Sequence, residues 1–423
     1  MEKNSIIMIA VVAVILAIGG AALFLLSDNG DDDNEQTSDT FTCQDMTDEW
    51  VTMPKEIESI YACGPGALRF ITYLGCSDLI CGSDQLKNGI WGNPYMLAGK
   101  DHFEDPSVAA GSGEAMNLNL EQVLTCNKGQ KPHVLFVDTT TANEFSDVVD
   151  NVKAAGVHVF VMTYFIEMVD KNLNLNPVLE KQIRRMGTAL SVDDRADELV
   201  KGIKSMLNEI KTLSEGPSIN GYLGGMWVGG NRGLGSTNLR SPEFNLTGVD
   251  NIAAGKVTQG VKPNGTTKIQ NEKLIQIIND ADDFKMFLDP STWMFKPELS
   301  IEDRTICAAL ANKNLSGGNT TKAMVTTEVN RYGMDYDNVL VNGYLVAQHI
   351  RGLDADMIRE KVDAVYTLFY GDKAVNSDGV KMFDQLDNNV FAKTKIHLGQ
   401  YVTFTVDGVI VSDGSYLPMA TVS

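Results

Sequence analysis

The residues most able to do chemistry are a glycine turn, three arginines and a set of aromatic rings. Gly64-Pro65-Gly66 stands between a β-prone run at 57–63 and a helical run at 67–74. Amides at such a turn, with a helix dipole behind them, suit an anion or a chelate oxygen. The same glycines equally suit a tight βα turn that needs them only for its geometry. Arg69 follows one turn into the helix. Arg232 lies within Gly229-Gly230-Asn231-Arg232-Gly233, and Arg331 lies beyond the β-prone run at 323–329. A guanidinium donates in a planar fork and can clamp a carboxylate or phosphate, although each of these arginines also fits an ordinary salt bridge. Trp91, Tyr95, Tyr164, Trp227, Trp293 and Tyr332 offer faces on which a macrocycle or aromatic chelate could stack, or they pack as core and rim.

Other chemistries are poorly supplied. The histidines are His102, His133, His158, His349 and His397, with no pair four apart. His158, inside a β-prone run, reads as buried. A bare three-histidine metal site is not expected, nor a resident cofactor; a preformed chelate is the expected ligand. Six cysteines occur without a CxxC pair, which argues against structural zinc. Their even number permits disulfides outside the cell and leaves the pairing open. Neither GxSxG nor HExxH is present, and no Lys-Ser/Thr follows the glycine pairs at 224–225 and 229–230. An extracellular α/β enzyme acting on a small anionic substrate is therefore second to a binding protein, and an adhesive surface protein comes after both. With 35 basic against 55 acidic residues, the net charge of -20 disfavours a nucleic-acid partner.

The elements that must position these residues alternate. Short strands at 57–63, 79–82, 134–137 and 157–163 are separated by helical runs, including 145–155, and this rhythm predicts a parallel, doubly wound sheet. The run at 192–214 carries apolar residues at steps of three and four and spans roughly 34 Å as a helix, long enough to cross between two lobes. Ser191 with Asp194 resembles a capping box at its start. A second α/β set follows, with strands at 219–223, 285–288 and 323–329 and helices at 339–350 and 355–370. Asp407-Gly408 marks a hairpin between 401–406 and 409–412. The halves echo each other. An asparagine-led helix precedes a strand ending at Asp138 and exits into Thr139-Thr140-Thr141; another precedes a strand ending at Asp289 and exits into Pro290-Ser291-Thr292. Ligands of open α/β sheets sit beyond the carboxyl ends of strands, so two such ends would frame a cleft.

Ahead of this lies Ile6 to Leu26, 21 apolar residues without a charge, roughly one bilayer core in length as a helix. Its length favours an uncleaved anchor over a cleaved signal. Lys3 before it and acidic residues after it place Met1 inside and the bulk of the chain outside. Ser27 to Thr40 reads as a solvated acidic tether.

Ile60-Tyr61-Ala62-Cys63-Gly64-Pro65-Gly66-Ala67-Leu68-Arg69-Phe70-Ile71-Thr72-Tyr73-Leu74-Gly75, then Asp78-Leu79-Ile80-Cys81-Gly82, resembles the opening of archaeal iron-chelate and cobalamin-type solute-binding proteins of ABC transporters. Asp194-Arg195-Ala196-Asp197-Glu198-Leu199 in the long helix and Tyr222-Leu223-Gly224-Gly225 in the second half fit the same family over residues 51–390. The resemblance implies a class III periplasmic binding protein, with two doubly wound lobes joined by one long, rigid helix. It also implies an iron siderophore, haem or corrinoid in the cleft, and a permease and ATPase as partners. The implied division is anchor 1–27, tether 28–50, N-terminal lobe 51–190, interlobe helix 191–215 and C-terminal lobe 216–423. The implied cleft residues are Gly64, Pro65, Gly66, Arg69, Trp91, Tyr95, Tyr164, Arg232, Trp293, Arg331 and Tyr332. One acid on each lobe meets the permease in such proteins. Glu144, read as opening a helix, and Glu302 hold corresponding places, with Asp147 and Glu298 as competitors. If the apolar run is an anchor, intact-mass measurement of membrane-extracted protein will retain residues 1–26; a mature terminus near Ser27 would refute it.

Overall fold

The computed structural model describes residues 39–64, 66–86, 93–111, 116–227, 230, 232–295, 298–313, 322–329, 334–406, 408–410 and 417. The proposed anchor and most of the tether lie outside them. Among the described residues no helix is long and apolar enough to cross a membrane. From Thr40 onward the chain folds as one compact unit.

Its strands are β1 (Thr40–Gln44), β2 (Trp50–Pro54), β3 (Ile60–Cys63), β4 (Ile80–Ser83), β5 (Ala109–Ala110), β6 (Val134–Asp138), β7 (His158–Met162), β8 (Ile219–Gly224), β9 (Ser236–Asn238), β10 (Val249–Asn251), β11 (Thr266–Lys268), β12 (Lys285–Leu288), β13 (Lys322–Val325), β14 (Tyr401–Thr405) and β15 (Gly408–Ile410). One sheet is wholly parallel, in the order β5-β4-β3-β6-β7. The second runs β10-β8-β12-β13-β14-β15, parallel through β13 and closed by the antiparallel β14–β15 hairpin. Helices cover both faces of a parallel sheet, so its central strands read as unbroken apolar runs. Val134-Leu135-Phe136-Val137 at the middle of the first sheet is buried throughout.

Several expectations need correction. The tether does not extend to residue 50, because β1 and β2 form an antiparallel hairpin that buries Cys43 and Met53 and belongs to the first lobe. His158 is half-buried on the edge strand β7, and its Nδ1 lies 2.7 Å from the Thr52 carbonyl oxygen of that hairpin. The long helix, Asp193–Leu213, starts without the capping box. Ser191 adopts a left-handed φ of 58°, and the Asp193 carboxylate is taken by the Thr188 hydroxyl at 2.6 Å. The polar exits after Asp138 and Asp289 are short helices, Thr139–Glu144 and Ser291–Phe295.

The 21 residues of the long helix span about 32 Å at the standard rise. Its buried stripe of Ala196, Leu199, Val200, Ile203, Leu207 and Ile210 packs on helix Pro177–Ala189 of the first lobe. The same helix packs on Pro242–Thr247, Tyr336–Arg351 and Ala355–Tyr370 of the second. It leads from β7 of one sheet to β8 of the other and is the single early crossing between them.

The lobes also meet directly, through polar groups sunk in the interface. Arg69 Nε lies 2.8 Å from Asp335 Oδ1, and neither side chain is more than 2% exposed. Tyr73 donates its hydroxyl to Asp337 Oδ1 at 2.9 Å, and Tyr370 donates to the other oxygen of the same carboxylate. Tyr336 donates to the Ile166 carbonyl at 2.9 Å. Lys373 reaches back to Asp78 and Ser77, each at 2.7 Å. Around these lie the rings of Phe70, Tyr73, Tyr336, Phe369 and Tyr370. Breaking a buried pair by removing one partner strands the other charge. Arg69→Ala will therefore lower unfolding stability by about 3–5 kcal/mol in urea denaturation. Arg69→Met with Asp335→Leu will recover most of that loss; an equal loss in the double variant would assign the effect to packing.

Candidate functional site

Where the strands of both sheets end, the connecting loops are held by buried carboxylates that accept backbone amides. Asp138 ends β6 and caps helix Thr139–Glu144, its Oδ1 accepting from the Thr140 and Thr141 amides at 2.9 and 3.0 Å. Asp289, just beyond β12, accepts from the Ser291 amide at 2.8 Å. The echo read in the sequence is thus a repeated carboxylate at a strand exit that accepts amides of the following helix. Asp84, at the β4 exit, accepts from Met116 at 2.7 Å and Gly64 at 3.2 Å, tying the exits of β3 and β5 to its own. Burial pushes its carboxyl up to about 6, with neighbouring Asp138 adding to the rise and the two amides opposing it. Burial, then Glu328, holds Asp289 well above the usual carboxylate range.

The Gly64 turn is fitted into this framework. Its φ is 90°, and a Cβ there would sit 1.6 Å from Asp138 Oδ2. Its carbonyl accepts from Gln85 Nε2 at 2.9 Å. Since the Gly64 amide is committed to Asp84, the turn serves geometry, and helix Ala67–Tyr73 behind it is only seven residues long. The anion-cradle expectation for Gly64 is corrected accordingly. Arg69 is likewise spent on Asp335, with its guanidinium 4.9 Å from the centroid of the Tyr95 ring. Tyr95 and Trp293 are 1% and 0% exposed, so neither ring has a face to offer a ligand. Pro65, Trp91, Arg331 and Tyr332 lie outside the described residues.

What remains open is at the β8 exit. Arg232 is exposed, and its guanidinium stacks 4.0 Å over the Trp227 ring. The loop carrying both is pinned on each side. The Trp227 amide donates to Ser291 Oγ at 2.8 Å and the Gly233 amide to Thr292 Oγ1 at 3.1 Å. The Leu234 amide donates to Asp303 Oδ1 at 2.7 Å. Gly233 is required here, since its φ is 87° and a Cβ would fall 2.6 Å from Asp303 Oδ1. In the first lobe, Tyr164 stands 41% exposed just past β7. The Arg69–Asp335 pair is buried between the elements of the two sheets. The β13 exit is fixed by Thr327, whose amide and hydroxyl both donate to Asn342 Oδ1 at 2.8 Å. The arrangement presents a stacked cation and aromatic faces on a preset loop, a surface suited to binding an anionic, flat or ring-bearing ligand.

No family model and no curated protein sequence matches the chain. Solved structures do match. An ABC transporter solute-binding protein from Sulfurospirillum deleyianum superposes with a TM-score of 0.54 at 16% identity, covering 84% of this chain and 99% of its own. The molybdate-binding protein MolA of a Haemophilus influenzae ABC transporter gives 0.53 at 15%, covering 78% and 98%. A periplasmic solute-binding protein from Veillonella parvula gives 0.50 at 14%, covering 83% and 100%. The chain has the fold of these solute-binding proteins.

On this fold the two acids expected at a docking surface are exposed. Glu144 closes helix Thr139–Glu144 instead of opening the next one, which starts at Ser146; Asp147 stands in the first turn of the latter. Glu302 is in the first turn of helix Ile301–Asn312, 3.6 Å from Lys268. Among the described residues no group of three His, Cys, Asp or Glu is placed to hold a metal ion. Trp227 was legible only as one of several aromatics, and Asp84, Asp335 and Asp337 carried no local signal.

Asp84 generates a pH prediction. The native state keeps its proton up to about pH 6, whereas the unfolded chain releases it near 3.8. Its contribution is therefore fully present below 3.8 and is lost as pH rises through about 6. Urea denaturation across this window will show a falling component in the native chain that Asp84→Asn lacks; parallel pH profiles would contradict it.

Proposed function

We propose that the chain is the solute-binding receptor of an ABC importer, a binding protein and not an enzyme, held outside the cell by its N-terminal apolar segment. It captures an anionic metal chelate between the strand exits of its two lobes and delivers it to a permease driven by an ATPase. The observation that carries this reading is the Trp227–Arg232 stack, exposed on a loop held by Ser291, Thr292 and Asp303. Trp227 and the exposed Tyr164 favour a ligand with planar groups, such as an iron siderophore, haem or a corrinoid. Trp91, Arg331 and Tyr332 are proposed as further contacts. A second reading takes Arg232 as the main determinant and a bare oxyanion as the ligand, which is what the Haemophilus protein of the same fold binds.

Titration of the purified chain with ferric catecholates, haem, cobalamin and molybdate separates these readings. Saturable binding without turnover is expected for one chelate. Arg232→Ala will weaken it by about 1.5–3 kcal/mol through loss of a charged hydrogen bond, and Trp227→Ala will weaken a chelate but not molybdate. Normal binding by both variants, or turnover of the ligand, would overturn the proposal. Glu144 and Glu302 are proposed to meet the permease. Single exposed ion pairs contribute about 0–1 kcal/mol, so the double change Glu144→Ala with Glu302→Ala is the informative one: transport falls while ligand affinity stays. Equal loss of ligand binding would place these acids in the cleft instead.

A further inference from the structure

Four Asn-x-Ser/Thr triplets begin at Asn245, Asn264, Asn314 and Asn319, and ligand capture uses none of them. Asn314 and Asn319 lie outside the described residues. The structure separates the other two. Asn264 is half-buried in the turn before β11, and its Oδ1 is taken twice within its own triplet, by the Thr266 amide at 3.2 Å and the Thr266 hydroxyl at 2.7 Å. Asn245 is exposed, on a helix, Pro242–Thr247, whose other five residues are all buried. Its backbone amide donates to the Ser241 carbonyl at 3.1 Å, while its carboxamide makes no hydrogen bond among the described residues. Asparagine is a poor helix former, and here its side chain supports nothing in the fold. It borders a cavity of about 490 Å³, within the size range of small-molecule sites. Buried Phe244, Leu246 and Val249 give this cavity an apolar wall, Lys211 and Glu215 give it charged groups, and Leu173 reaches it from the connection after β7.

We propose that Asn245 carries an N-linked oligosaccharide whose first sugar rings lie in this cavity. A pyranose has the same division as the cavity, with apolar C–H faces and a polar edge of hydroxyls. The inference rests on the reading that sets the chain outside the cell, where such triplets are modified. The donor is an oligosaccharide linked to a polyprenyl phosphate. The bond from its anomeric carbon to the phosphate oxygen breaks, a C–N bond to Nδ2 forms, and the amide proton leaves with the lipid phosphate. Thr247, the third residue of the triplet, is 1% exposed, and its hydroxyl donates to the Glu243 carbonyl at 2.7 Å. A transferase that reads this threonine therefore acts before the helix closes, while the chain is crossing the membrane. Folding then lays the attached sugar against the walls of the cavity, between Leu173 and the second lobe.

The test begins with the full chain purified from the cells that make it. After proteolysis, tandem mass spectrometry of the peptide holding Asn245 will find most copies carrying an oligosaccharide on that residue. Protease treatment of the intact cells, run beside it, locates the chain. A chain digested from outside yet bare at Asn245, even if modified at another triplet, overturns this inference and leaves the receptor reading standing. A chain that is both protected and bare overturns the location on which the two rest. The seat in the cavity has its own readout. A glycan-releasing amidase will act many-fold more slowly on the folded chain than on the unfolded one. Asn245→Gln will lower the thermal midpoint by a few degrees in chain made where the transferase is present, and will leave it unchanged in chain made without it. Equal release rates, or equal midpoints in the first preparation, would take the sugar out of the cavity.

Discussion

Arg69 and Asp335 bring opposite charges together where almost no water reaches them. Neither could be there alone, since an isolated charge in an apolar interior costs several kcal/mol. The pair is supported by two tyrosine hydroxyls on Asp337 and by a sheath of aromatic rings, and it joins the helix after β3 to the loop after β13. The long helix adjoins this polar core, its Arg195 donating to the Tyr73 carbonyl at 3.2 Å, so helix and core together join the two sheets. In the proposed receptor, a cleft built this way would be set before a ligand arrives, which reduces the ordering cost of capture.

The same economy of carboxylates recurs at the strand exits. Asp84, Asp138 and Asp289 each accept backbone amides where a connection turns out of a sheet, and Asp303, in the first turn of helix Ile301–Asn312, accepts the Leu234 amide. A chain with 55 acidic residues therefore keeps several of them as internal scaffolding and not as ligand contacts. Their effect reaches the surface at the β8 exit, where Asp303, Ser291 and Thr292 hold the loop on which Arg232 rests against Trp227. Contact with the indole holds the guanidinium on this loop without neutralising its charge.

Much of the fold was legible because local patterns settled it. Helix Ala355–Tyr370 and strand Lys285–Leu288 fall where their apolar periods place them, and the repeated Asp138 and Asp289 exits were visible as an echo. The failures share a cause, which is distance in sequence. Arg69 was read as a ligand clamp because Asp335, its partner, lies far along the chain. Tyr95 and Trp293 were read as stacking faces because nothing local says whether a ring is covered. Ser191 lost its cap to a left-handed turn that only the packing of helix Pro177–Ala189 against the long helix imposes. Side chains with several uses are decided by tertiary neighbours, and candidate sites are made mostly of such side chains.

The central claim is that the cleft between the lobes holds a preformed, anionic chelate. Native mass spectrometry with elemental analysis of the full chain, purified from the cells that make it, tests it most directly. The account predicts one small molecule and its metal per chain, both released together on unfolding. A chain carrying a bare metal ion, or none and unable to take up any chelate offered, would contradict it.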